Sequence, residues 1–162
     1  MHRKEGNLSK SEEALSQGEN PKESRILFER GEIELAKRNL TKARRIFSSL
    51  AKKNFRAGDC FNAIGRSYLE EGKLGGAEKA FGKSVLVDPE SRLAWSKLAE
   101  IHNSRQNLAM EIQALRKVVA LEPKNVEALA AFVEALVRGG LFRKVHRLTI
   151  QSKLPFLPRS IL

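Results

Sequence analysis

Apolar residues recur at helical spacing along most of the chain, and the recurrence itself repeats. Phe61, Ile64 and Tyr68 stand three and four residues apart on one face of a helix. Gly65 lies on that face, where a side chain would hold a partner helix away. After a polar break at Gly72-Lys73, Ala77 and Phe81 set a small and a large group four residues apart on a second helix. Pro89, which a helix interior does not accept, closes the unit. One such hairpin cannot cover its own apolar faces, so it requires neighbours of the same build.

The neighbours follow at a constant step. Leu27, Phe61, Trp95 and Leu129 are spaced 34 residues apart, as are Gly31, Gly65, Ala99 and Val133. Leu40, Leu74, Leu108 and Phe142 keep the step, Phe47, Phe81 and Leu115 keep it too, and Pro123 answers Pro89. With these columns in register, the stretch over roughly 24–151 resembles the tetratricopeptide repeat family. The unit around Phe61 matches that family's signature at all eight positions. The next unit departs from it, with His102 for the aromatic and Glu111 for the small Ala. The first unit has Arg30 where a Leu is usual and lacks the Pro, and the last has Val145 and Thr149 in its second helix.

The resemblance implies an all-α fold, a right-handed α-solenoid of about four antiparallel helix pairs with a 34-residue repeat. The pattern predicts eight helices, at 24–37, 40–54, 58–71, 74–87, 91–104, 108–121, 126–138 and 142–152. The repeat domain is expected over 23–154, in units 24–57, 58–91, 92–125 and 126–154. Residues 1–22 read either as a flexible leader or as a degenerate half-repeat, because Gly6-x-Leu8 through Asn20-Pro21 parallels Gly72-x-Leu74 through Asp88-Pro89. Residues 155–162 hold Phe156-Leu157 between Pro155 and Pro158, an apolar tail that either caps the last unit or serves as an interaction motif.

In this family the first helix of each pair lines a concave groove, and positions between its apolar anchors meet the ligand. Carried onto this chain, those positions are Arg25, Phe28, Glu29, Glu32 and Leu35, then Asp59, Asn62, Ala63, Arg66 and Glu70. The third unit supplies Leu93, Ser96, Lys97, Glu100 and Asn103, and the fourth Glu127, Ala130, Ala131, Glu134 and Val137. Members that hold a terminal carboxylate place Lys and Asn one turn apart. Here the equivalent pairs are Phe28/Glu32, Asn62/Arg66, Ser96/Glu100 and Ala130/Glu134, so the carboxylate clamp is absent. The expected function is protein binding, as an adaptor, scaffold or chaperone-like module holding a peptide of mixed or basic charge in the groove.

Composition narrows the classes. Of 162 residues, 41% are hydrophobic and 30% charged, which suits a soluble helical array rather than a disordered chain. Cys60 is the single cysteine and excludes an intrachain disulfide framework. No apolar run approaches the roughly 20 residues needed to span a bilayer, and the polar start at Met1-His2-Arg3 shows no signal peptide, so a cytoplasmic protein is expected. His2, His102, His146 and Cys60 lack metal-ligand spacing, and the glycine pairs at 75–76 and 139–140 lack the Lys-Ser/Thr of a phosphate loop. No catalytic residue, metal or cofactor is expected.

The net charge of +11 is uneven and opens an alternative. Residues 24–57 carry ten basic and three acidic groups, whereas 58–91 carry four and six. On the second helix of the first unit, Lys42, Arg45, Lys52 and Arg56 fall on one side, flanked by Arg44 and Lys53 and opposite Ala43, Ile46, Phe47 and Leu50. That stripe would attract nucleic acid or an acidic partner, although no aromatics interleave with the charges to stack bases. A further alternative is a self-assembling structural scaffold, since the imperfect last unit leaves an end open.

Overall fold

The structure, a computed structural model, describes residues 20–140. The helix expected over 142–152, the leader up to residue 19 and the tail 155–162 lie outside the described residues. Among the described residues there are seven helices and no strand: α1 (Pro21–Ala36), α2 (Leu40–Lys52), α3 (Ala57–Glu70), α4 (Leu74–Val87), α5 (Arg92–Ser104), α6 (Leu108–Leu121) and α7 (Val126–Arg138).

α4, α6 and α7 occupy the spans expected of them, and α2 stops at Lys52, before the expected end at 54. α1 begins earlier than the expected 24, at Pro21. The cause is a cap: Asn20 Oδ1 accepts from the backbone N–H of Lys22 at 3.1 Å. Pro21 then takes the first helical position, where a missing N–H costs nothing. The same side-chain bond recurs at Asp88-Pro89-Glu90, where Asp88 Oδ1 accepts from the Glu90 N–H at 3.1 Å, yet there the next helix waits until Arg92. Pro21 and Lys22, expected in the leader, therefore belong to α1.

The chain forms two compact units, divided between Ala94 and Trp95 inside α5. In the first, α3 packs against α1, α2 and α4. Its core gathers Phe28, Leu35, Phe47, Leu50, Cys60 and Ile64. Phe47 and Phe81 are wholly buried, each opposite a glycine. A Cβ on Gly31 would lie 2.8 Å from the Phe47 ring, and one on Gly65 would lie 2.7 Å from the Phe81 ring. These glycines supply space, since no real Cβ tolerates such an approach. In the second unit the same columns hold Ala99 and Leu115, both buried, so a methyl appears where the phenyl has shrunk to isobutyl.

The repeat reaches into finer contacts. Lys83 Nζ stands 5.7 Å from the Phe61 ring centre in the first unit, and Lys117 Nζ 6.0 Å from the Trp95 ring centre in the second. The turns α1–α2, α3–α4 and α5–α6 each place one residue in the left-handed region, Arg38 (φ 60°), Gly72 (69°) and Gln106 (58°), and Gly140 (68°) takes the same conformation after α7.

Glu111 departs from the small residue of the family because a charge answers it. It is 4% exposed, and Arg138 of α7 donates to its Oε1 at 2.5 Å while also donating to Asn103 Oδ1 at 3.4 Å. Removing the arginine strands a buried charge; removing the carboxylate leaves an arginine that water can solvate. Arg138→Leu should therefore cost roughly 3–5 kcal/mol in urea melts, with Glu111→Ala far closer to neutral; equal losses would show that the pair is not buried as described.

The glycine contact gives a second test. Gly65→Ala should cost roughly 1–3 kcal/mol by overpacking, and adding Phe81→Leu should recover part of that loss. Losses that simply add in a double-mutant cycle would refute the contact.

Candidate functional site

α1 and α3 lie against each other and bring candidate groove residues together. Arg66 on α3 faces Glu32 on α1 at 3.7 Å, both side chains close to half exposed. Arg25 pairs with Glu29 at 3.5 Å, Arg56 with Asp59 at 2.8 Å, and Arg38 with Glu70 at 3.7 Å. Each charged candidate on this face thus meets an opposite charge. Exposed pairs of this kind contribute about 0–1 kcal/mol, so a ligand can exchange them at little cost.

Asn62, one turn before Arg66, is buried, and its Nδ2 donates to Ser91 Oγ at 3.2 Å. Its Oδ1 is buried with no hydrogen-bond partner among the described residues. Such an oxygen carries a desolvation penalty of about 1–3 kcal/mol until a donor arrives.

Phe28 does not present itself on this face. Only 8% exposed, its ring meets Phe47 edge-on at 5.4 Å and Phe55 at 6.4 Å, and the Arg56 guanidinium covers it at 4.2 Å. Leu35 and Ala63, also expected in the groove, are core residues. In the second unit, Lys97 Nζ binds both carboxylate oxygens of Glu100, at 2.9 and 2.8 Å. Asn103 accepts from Arg138, Ser96 is half-buried, and Glu134 is exposed on α7.

The basic stripe is broken up by carboxylates. Lys42 reaches Glu34 at 2.7 Å, a buried carboxylate that also accepts from Asn39 Nδ2 at 2.8 Å. Arg44, its side chain 15% exposed, donates to Glu71 at 2.7 Å and to Ser67 Oγ at 3.3 Å, and lies 4.5 Å above the Tyr68 ring centre. Arg56 leaves the stripe altogether: α2 has ended, and the left-handed backbone at Arg56 (φ 45°) sends its side chain over Phe28. Arg45, Lys52 and Lys53 remain on the exposed side of α2.

These contacts set the titration behaviour. The hydrogen bond from Arg44, then that from Lys73, holds the Glu71 carboxyl below the usual carboxylate range. Lys42 and then Asn39 do the same for Glu34. Burial, aided by Asp59, pushes the Cys60 thiol up to about 12. Among the described residues no group of three His, Cys, Asp or Glu could hold a metal ion, and no helix is long and apolar enough to cross a membrane.

The tetratricopeptide repeat family matches residues 62–126. Over that stretch the chain carries tetratricopeptide repeats. Its repeats are 33% identical over 90 residues to the peroxisomal targeting signal receptor of Komagataella phaffii. That alignment takes in 55% of this chain and 16% of the receptor, so the chain spans about a sixth of that relative's length. Among solved structures, the first tetratricopeptide domain of Spaghetti (RPAP3), bound to the HSP90 peptide SRMEEVD, superposes with a TM-score of 0.64 at 16% identity. The superposition covers 75% of this chain and 99% of that one. The Arabidopsis OM64 tetratricopeptide domain gives 0.61 at 20% identity, over 72% and 97% of the two chains. At these identities the likeness is one of fold.

Depressed carboxyls give the repeats an acid limb. Glu71 has a lower pKa folded than unfolded, so its contribution is present above the ordinary carboxylate value of about 4.3 and is lost as pH falls through its folded value. Glu71→Gln should lower the melting temperature at neutral pH and flatten its decline below about pH 4.3. Parallel melting curves for variant and parent across that range would contradict the Arg44–Glu71 pairing.

Proposed function

We propose that the chain is a non-catalytic interaction module, an adaptor or scaffold, that holds a peptide segment of a partner protein against the α1–α3 face. The observation that carries the reading is the Glu32–Arg66 pair beside the unpartnered Oδ1 of Asn62. A half-exposed ion pair at 3.7 Å has little to lose by opening, and a buried acceptor has much to gain from a backbone N–H. An extended peptide offers both a row of N–H donors and side chains to take over either charge.

The chemistry of the positions favours a ligand of mixed or basic charge over a terminal carboxylate. The pairs Phe28/Glu32, Asn62/Arg66 and Ser96/Glu100 contain no Lys–Asn couple, and Phe28 is turned into the core. Glu32 and Glu70 on the α1–α3 face would repel an acidic peptide such as the one held by the RPAP3 domain. The charges of Arg25, Asp59, Arg66 and Glu70 supply the register.

Panning a displayed library of random peptides against the chain tests this. Selected peptides should carry both Lys/Arg and Asp/Glu, and Arg66→Glu should weaken their binding about tenfold or more with helicity intact. Unchanged affinity in that variant would overturn the assignment.

A further inference from the structure

A different groove opens on the exposed side of α2. Thr41, Arg45, Ser48 and Lys52 run along it one and two turns apart, and Ile64 and Tyr68 of α3 form its floor. The open space is about 580 Å³, within the range of sites that hold a short peptide or small molecule. Its charge is set by an unusual stretch: from Leu35 to Gly58 there are eight basic residues and no Asp or Glu. Four of the eight are matched by carboxylates brought in from α1 and α3, namely Arg38 by Glu70, Lys42 by Glu34, Arg44 by Glu71 and Arg56 by Asp59. Arg45 and Lys52 have no such match among the described residues, and both point into the groove.

We propose that this groove is a second binding site, for an acidic peptide segment of a partner protein. Arg45 and Lys52 are seven residues apart, about 10.5 Å along the helix at 1.5 Å per residue. An extended peptide covers that distance in about three residues, so carboxylates at that spacing reach both cations. The hydroxyls of Ser48 and Ser49 lie between the cations and donate to carboxylate or main-chain oxygens. An apolar side chain between the acids settles beside Tyr68. Nucleic acid fits less well: Tyr68 is the aromatic of the groove, and Arg44 already lies 4.5 Å over its ring, in the place a stacked base would take. The site is distinct from the α1–α3 face, which is built around Glu32 and Arg66.

Fluorescence anisotropy with a fluorescein-labelled peptide of Glu-Glu-Leu repeats tests the site. The peptide should bind saturably at low ionic strength and weaken as salt is added. Arg45→Glu with Lys52→Glu should reduce its affinity about tenfold or more, the milder Arg45→Gln with Lys52→Gln should reduce it by less, and Arg66→Glu on the other face should leave it unchanged. Both mutated positions are exposed, and circular dichroism of the Gln variant confirms that the helices persist. No saturable binding, equal losses from the Arg66 variant, or displacement of the peptide by a tighter-binding oligouridylate of equal charge would each overturn the proposal.

Discussion

In the first unit, phenyl rings lie against bare backbone where two helices meet. Phe47 over Gly31 and Phe81 over Gly65 bring paired helices nearer than any side chain would allow, and both rings are fully buried there. Close packing of this kind transmits error: the interior is dense, so a methyl added at the glycine must displace something. The ring and the gap are also paired choices, since the second unit shrinks the ring to Leu115 and fills the gap with Ala99. Gly31 immediately precedes Glu32 and Gly65 immediately precedes Arg66, so the two contacts anchor the backbone from which that pair projects.

Ion pairs tie one hairpin to the next by a shared rule with the signs exchanged. Arg44 reaches Glu71, and Glu111 is reached by Arg138, each across 27 residues from the start of one second helix to the end of the following first helix. A cation sits on the second helix in one case and an anion in the other. These pairs absorb charge that the composition would assign to the surface, and they explain why a strongly basic stretch presents so few open cations.

Periodicity made most of the helices readable. Leu74 and Leu108 open α4 and α6 after polar turns, each broken by a left-handed residue, Gly72 and Gln106. The start of α1 was ambiguous because Asn20-Pro21 and Asp88-Pro89 make the same local turn, and only the residues that follow decide whether a helix begins at once. The candidate face was less legible. Phase along a helix says which way a residue points, not what arrives from elsewhere to cover it. Phe28 shares its phase with Asn62, yet Phe47, Phe55 and Arg56 close over it. A charge count along α2 likewise groups Lys42 with Arg45, while the fold hands the first to Glu34 and leaves the second exposed. The 27-residue interval was present in the sequence, but opposite signs in the two cases hid it from a search for like residues.

The lone thiol has a practical use. Cys60 is fully buried, donates to the Phe55 carbonyl at 3.3 Å, and is held protonated by its surroundings. Alkylating reagents need the thiolate and a path to it, and the folded first unit offers neither. The rate at which this sulfur is modified therefore clocks the opening of α1 to α4, a built-in gauge of how often the hairpins part in the absence of any denaturant.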